Sequence, residues 1–252
     1  MILARSILFW MLVCLLTMFF GTLLVFCMLL PLRARFAVLA VWRNGFMGLC
    51  RWVLGIRMVV KGAENIPKTP VLVLAKHQSA WETVGLQAIF KPLVFVLKQE
   101  LLRVPFFGWG LASVRMIGIN RKAGREALKQ MLTEGQERLA QGIWVAVFPE
   151  GTRIEPGKRE RYKPGAAYLA TRTGTPVLPV AHNAGELWPA KAFCIRPGTI
   201  TVSIGPLIET KGLKDSQVNA AVEEWIETEM RKLSPRFYPD APEEGAEGAT
   251  AS

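Results

Sequence analysis

Cysteine and histidine are scarce in this chain, and acidic residues are missing from its beginning. Four cysteines in 252 residues cannot staple a disulfide scaffold. Cys14 and Cys27 fall in an apolar run, Cys50 and Cys194 stand far apart, and none has a C-x-x-C partner. That spacing excludes a cysteine-rich zinc or iron–sulfur centre, and no other metal site is evident. No internal repeat is present, which excludes a solenoid. Only His77 and His182 can supply an imidazole, the side chain best placed to take a proton near neutral pH. The first carboxylate of the chain is Glu64.

What is present is apolar and basic. Residues are 51% hydrophobic and 20% charged, the balance of a folded protein rather than a disordered or fibrous one. The net charge of +11 points to an anionic partner. Residues 6–32 carry no charge, and about 20 apolar residues make a bilayer-spanning helix. A cleavable signal has an apolar core of about 7–15 residues followed by small residues. This run is longer and ends in Leu-Pro-Leu-Arg, so a retained anchor is expected. Arg5 alone precedes it, whereas Arg33, Arg35, Arg43, Arg51, Arg57 and Lys61 follow. The positive-inside rule then puts the following domain in the cytoplasm, on an inner membrane.

Residues 33–54 read as a second helix. Arg33, Ala37, Ala40, Asn44, Gly48 and Arg51 fall on one stripe, and Val38, Trp42, Phe46, Leu49 and Val53 on the other. Arg35 breaks the pattern. Such a helix suits a membrane surface, so the first helix either spans or forms a hairpin with the second in one leaflet. Packing on the soluble domain would give the same stripe. The other end, 239–252, carries four acids and no bases and reads as a disordered acidic tail. The expected organisation is an anchor with an interfacial helix at 1–57, a catalytic domain at 58–238 and the tail.

Between these ends, short β-branched runs at 58–61, 71–75, 93–97, 143–148, 177–181 and 199–204 alternate with helix-like stretches at 81–90, 124–141, 165–173 and 215–233. Alternation of this kind predicts an α/β fold with a mixed, mostly parallel sheet flanked by helices. Ligands of such sheets bind beyond the carboxyl ends of the strands, where the polar motifs of this chain occur.

Lys76-His77-Gln78-Ser79-Ala80-Trp81-Glu82 follows one strand directly. A carboxylate can hold one ring nitrogen of His77 and stabilise the imidazolium. A spacing of five turns about 140° on a helix, so His77 and Glu82 can meet only if His77 precedes the helix and folds back over its first turn. Phe148-Pro149-Glu150-Gly151-Thr152-Arg153 follows another strand. Pro ends the ladder, Gly151 lets a ligand approach closely, Glu150 can bind hydroxyls, and Thr152 and Arg153 can bind an oxyanion. Gly118-Ile119-Asn120-Arg121-Lys122 places a guanidinium near a strand end, suited to bidentate phosphate binding, and Lys98 adds charge at a similar boundary. Val177-Leu178-Pro179-Val180 either lines an acyl groove or packs in the core.

Taken together, the four blocks resemble the glycerolipid acyltransferase family, most closely its bacterial 1-acyl-sn-glycerol-3-phosphate acyltransferases. The resemblance covers roughly residues 58–210, and Phe148–Arg153 matches letter for letter. The usual acid of the first block is Asp. Glu82 is one methylene longer, which asks its helix to stand slightly further from the imidazole. The resemblance implies transfer of a fatty acyl group from acyl-CoA or acyl-ACP to the sn-2 hydroxyl of lysophosphatidic acid, giving phosphatidic acid. His77 would be the base and Glu82 its partner. Arg121, with Arg153 and Lys98, would hold the phosphate, and Glu150, Gly151 and Thr152 would shape the glycerol site. Backbone amides near the helix start could serve the oxyanion. No cofactor, metal or nucleic acid is implied, and membrane lipid is the expected surroundings. Alternatives are another acceptor, such as glycerol 3-phosphate or a lyso-ornithine lipid, or a non-enzymatic module that docks anionic lipid.

Overall fold

The computed structural model describes residues 1–238, so the expected acidic tail lies outside the described residues. The apolar run forms α1 (Ile2–Phe26), the one helix among the described residues long and apolar enough to cross a membrane. Pro31 cannot continue it and instead starts α2 (Leu32–Leu49), which runs through a wider turn at Cys50–Leu54 and stops at Gly55, φ 74°. The apolar stripe expected on α2 does face inward, through Trp42 and Phe46. Arg35 does not break it. It lies one turn before Leu39 on the same buried face, and its Nη1 donates to the Ser113 carbonyl at 2.7 Å. It is therefore not one of the headgroup-facing cations counted from the sequence.

The sheet is built from β1 (Ile56–Lys61), β2 (Leu72–Ala75), β3 (Leu93–Lys98), β4 (Ile117–Ile119), β5 (Trp144–Val147), β6 (Val177–His182) and β7 (Gly198–Ile204). Its order is β1-β7-β6-β2-β5-β3-β4, parallel throughout except where β6 meets β7. β2 and β5 are buried at every position, which is why they read as unbroken apolar runs rather than alternating ones. The flanking helices are α3 (Glu82–Ile89), α4 (Phe107–Ser113), α5 (Arg125–Ala140), α6 (Gly165–Thr173), α7 (Ala184–Leu187) and α8 (Asp215–Leu233). The expected α/β class, mixed and mostly parallel, is what the chain adopts. The strand β4 and the helix α4 are not separable in the sequence, because Phe-Gly-Trp-Gly breaks the periodicity there.

The N-terminal helices pack against the sheet domain. Phe9, Leu24, Leu39, Trp42 and Phe46 belong to the same apolar cluster as the sheet strands. The first turns of α1 are pinned by polar contacts: Arg5 Nε donates to the Val53 carbonyl at 2.5 Å, Ser6 Oγ accepts the Ile195 amide at 2.9 Å, and Trp10 Nε1 donates to the Phe193 carbonyl at 3.0 Å. Near its other end α1 crosses the start of α4 at Gly21, where an added Cβ would stand 2.3 Å from the Phe106 carbonyl oxygen. Only glycine permits that approach. The opposite face of α1, through Leu8, Met11, Leu15, Met18 and Phe19, is exposed.

Candidate active site

Because β2, β5, β3 and β4 are mutually parallel, the loops that leave them open on one edge of the sheet. This is why motifs distant in sequence meet. His77 leaves β2, Phe148–Arg153 leaves β5, Lys98 ends β3 and Arg121 follows β4.

His77 precedes α3 and folds back over its first turn, as the spacing required. Its Nδ1 lies 2.8 Å from Glu82 Oε1. The same oxygen accepts the amides of Gln78 at 3.0 Å and Ser79 at 2.9 Å, and Glu82 is fully buried. Burial would raise the Glu82 carboxyl, but the His77 hydrogen bond, the two nearby imidazoles and the Ser79 amide outweigh it and hold it below its ordinary value. An ionised Glu82 fixes the Nδ1–H tautomer, so Nε2 is the ring nitrogen left to act on a ligand. The ring also stacks on Phe148, centroids 4.0 Å apart and planes 11° apart, and Phe148 stacks in turn on Phe95. The amides of Gln78 and Ser79 are thus spent on Glu82, and these two do not serve as oxyanion donors.

The backbone of His77 is held as firmly as its ring. Its carbonyl accepts the Ile154 amide at 2.7 Å, and its own amide donates to Glu150 Oε2 at 2.8 Å. Glu150 is the site residue whose position differs most from expectation. It is buried, its Oε1 pairs with Lys76 Nζ at 2.7 Å, and it does not line the cavity described below. Burial pushes its carboxyl up to about 7 against the pull of Lys76. Its two oxygens are engaged by Lys76 and by the His77 amide, so the residue holds the loop that carries His77.

A cavity of about 610 Å³ opens at His77. Lys98, Arg121, Arg153 and Lys191 line it together with Gly151 and Thr152, and no carboxylate does so among the described residues. Arg121 Nη1 donates to the Gly151 carbonyl, and Arg153 Nε donates to the Ser79 carbonyl at 2.8 Å, which fixes both guanidinium groups. Gly151 has φ 71°, the left-handed conformation that favours glycine in this turn. Away from the cations the walls become apolar: Phe20 and Leu24 of α1, Leu39 and Trp42 of α2, Phe95 and Val96 of β3, and Phe106, Phe107 and Leu111 around α4.

Val177–Val180 does not reach this cavity. The segment is buried in the middle of the sheet, between β2 and β7, so of the two readings open in the sequence the core one holds. The strand's contribution comes at its end. His182 is buried, its Nε2 donates to the Lys76 carbonyl at 2.8 Å, and its Nδ1 accepts the Ala184 amide at 3.3 Å. One nitrogen donates and the other accepts, so the ring is neutral, as its depressed pKa from burial also requires. Sequence reasoning assigned no role to Lys76, Lys191, Phe148 or the helix residues that wall the cavity. Lys76 sat inside a quoted block, but a lysine beside a histidine carries no sign that it will be buried.

The fold, a sheet with its polar loops on one edge, and an imidazole–carboxylate pair at a cationic and apolar cavity define a class. The chain belongs to the acyltransferase family, whose model matches residues 57–183, and it is an enzyme of that class. Among its relatives, a Pseudomonas aeruginosa protein named 1-acyl-sn-glycerol-3-phosphate acyltransferase is 44% identical over 236 residues, 92% of each chain. A Mus musculus 1-acyl-sn-glycerol-3-phosphate acyltransferase alpha is 32% identical, with 68% of this chain and 61% of that protein covered. The crystal structure of the 1-acyl-sn-glycerophosphate (LPA) acyltransferase from Thermotoga maritima superposes with a TM-score of 0.77 at 28% identity, covering 92% of this chain and 95% of that one.

Proposed function

We propose that this acyltransferase moves a fatty acyl group from a thioester donor, acyl-CoA or acyl-ACP, to the sn-2 hydroxyl of lysophosphatidic acid, giving phosphatidic acid. The observation that carries the reading is a single cavity with His77 at its junction, cations on one side and apolar walls from α1, α2 and α4 on the other. An acceptor with a phosphate and a reacting hydroxyl, and a donor with a greasy acyl chain, are divided in the same way.

In this reading His77 Nε2 takes the proton as the acceptor hydroxyl oxygen attacks the thioester carbonyl. Glu82 stabilises the imidazolium. The tetrahedral intermediate then collapses with cleavage of the carbon–sulfur bond, and the thiolate leaves with the proton His77 had taken. Arg121, Arg153 and Lys98 hold the phosphate, while Gly151 and Thr152 shape the glycerol site. The acyl chain lies between the N-terminal helices and α4. No acyl-enzyme, metal or cofactor is required, because the base acts on the acceptor directly.

The protein works at a membrane, with the catalytic domain on the cytoplasmic face of the inner membrane. The exposed stripe on α1 is the lipid-facing surface, and the polar contacts of Arg5, Ser6 and Trp10 with the domain support a hairpin seated in one leaflet rather than a straight span. Exposed Arg33, Arg51 and Arg57 would meet anionic headgroups, at about 1 kcal/mol each.

The test is a transfer assay with labelled acyl-CoA and acyl-ACP, run in parallel on lysophosphatidic acid, glycerol 3-phosphate and a lyso-ornithine lipid. Phosphatidic acid from lysophosphatidic acid as the dominant product supports the reading. Preference for either of the other acceptors overturns it.

A further inference from the structure

Directly beneath the catalytic loop the chain buries three charges. Lys76 Nζ, with no exposed surface, lies 2.7 Å from Glu150 Oε1 and 2.7 Å from Glu227 Oε1 of α8. Tyr162 donates its hydroxyl to the same Glu227 oxygen at 3.0 Å, and Asn219 of α8 donates to the Tyr162 carbonyl at 3.1 Å. The main chain of Lys76 is held too, its amide by the Val180 carbonyl and its carbonyl by His182. Such a cluster is a poor stabilising device. Apolar residues of the same volume commonly serve a core as well or better, because the desolvation of buried ions offsets their attraction.

Its position says what else it does. Glu150 has two oxygens with two tasks: Oε1 meets Lys76 and Oε2 accepts the amide of His77. We infer that Lys76 is a positioning residue of the active site, which draws Glu150 toward its carboxylate form and orients it so that its second oxygen fixes the backbone of the catalytic histidine. Glu227 and Tyr162 set Lys76 in place, and through them α8 braces a site it does not touch. This inference rests on the reading of His77 as the base.

The chemistry makes the role measurable. An ionised carboxylate accepts an amide hydrogen bond about twice as strongly as a neutral carboxyl. Glu150 already titrates at about 7, with burial pushing it up and Lys76 pulling it down. The groups that face it are Lys76 after β2, Glu227 on α8, and Tyr162, whose hydroxyl burial drives upward; the Tyr238 hydroxyl also feels Lys76, Glu227 and Glu150, and Glu223 acts on Tyr162. Removing the Lys76 charge leaves burial and Glu227 opposed only by the His77 amide, so near neutral pH Glu150 becomes protonated and its grip on that amide weakens. Raising the pH restores it.

The experiment compares full-length wild type, Lys76→Met, Lys76→Gln and Glu227→Gln in acyl transfer to lysophosphatidic acid from about pH 6 to 9, a range spanning the imidazole and Glu150 titrations. Both Lys76 variants should lose on the order of 10-fold in kcat near neutral pH, the scale of a small misplacement of a reacting group, with the acceptor KM changed less than about twofold. The variant-to-wild-type ratio should climb toward alkaline pH. Glu227→Gln keeps the lysine charge and removes a charge that raises Glu150, so it should lose only a few-fold, with a ratio that does not climb toward alkaline pH. A ratio independent of pH in the Lys76 variants overturns the inference, as does a change confined to KM. If neither Lys76 variant folds, the lysine is structural and the inference is likewise overturned. Wild-type protein that fails to acylate lysophosphatidic acid would instead defeat the functional reading, a separate result.

Discussion

Glu82 Oε1 stands 2.8 Å from His77 Nδ1 although the two are five positions apart, a spacing that would place them on different faces of one helix. The contact exists because His77 lies in the loop before α3 and Glu82 is the helix's first residue. The same oxygen ties down the Gln78 and Ser79 amides, so one carboxylate shapes the loop and orients the base together. Glu82→Gln preserves the size and an acceptor but removes the charge that stabilises the imidazolium. It should lower kcat by about 10²-fold or more with little change in KM. Glu82→Asp keeps the charge on a shorter arm and should retain intermediate activity. Steady-state kinetics on folded protein separate the two.

In the proposed reading the cations of the cavity act on binding. Arg121 and Arg153 are each pinned to a backbone carbonyl, so their guanidinium groups need no reordering to meet a phosphate. A charge-assisted hydrogen bond contributes about 1.5–3 kcal/mol, so Arg121→Ala should raise the lysophosphatidic acid KM by about 10-fold or more while kcat falls less. An acceptor lacking phosphate should show no such difference between variant and wild type.

Acid–base behaviour of stability follows from two buried glutamates with opposite shifts. The Glu82 carboxyl is held below its ordinary value, so its contribution is present above the unfolded carboxylate pKa of about 4.3 and is lost as pH falls through its folded value. Glu150 is raised to about 7, so its contribution is present in acid and is lost as pH rises toward that value. Melting temperatures of Glu150→Gln should therefore rise relative to wild type as pH increases from about 4.3 to 7, the window between the two Glu150 values. Glu82→Gln should lose most stability relative to wild type at neutral pH and converge on it in acid.

The crossing of α1 with the start of α4 tests the coupling of the membrane end to the site. A methyl at Gly21 would collide with the Phe106 carbonyl, which is backbone and has little freedom to move, and Phe106 lines the cavity. Gly21→Ala should cost about 1–3 kcal/mol by overpacking and lower activity on long-chain donors, read by thermal melting and by transfer assays. Gly48→Ala, where a Cβ meets nothing within 4 Å, is the control.

Much of this was legible in the sequence, and the failures have physical causes. Apolar runs identify six of the seven strands, most plainly the central β2, β5 and β6, which are buried at every position and have no polar face to confuse the pattern. The three-residue β4 and the glycine-rich α4 are too short to show a period. His77, Glu82, Arg121 and Arg153 could be placed because each follows or opens an element at the carboxyl edge of the sheet. The place of Glu150 in the same loop suggests a substrate ligand, but consecutive loop residues point in different directions and Lys76 is buried beside it. Arg35 was read as a break in an amphipathic stripe, yet it is inward because a carbonyl of α4 waits there. Long-range polar pairing of this kind leaves no local trace in a sequence.

The most direct test of the central claim is acyl transfer to lysophosphatidic acid by His77→Ala in full-length protein whose melting curve matches that of wild type. Loss of turnover by about 10²–10⁴-fold, with acceptor binding intact, is the result expected of a missing general base. Turnover close to wild type would mean that the hydroxyl is activated by some other group, and the assignment of His77 would fall.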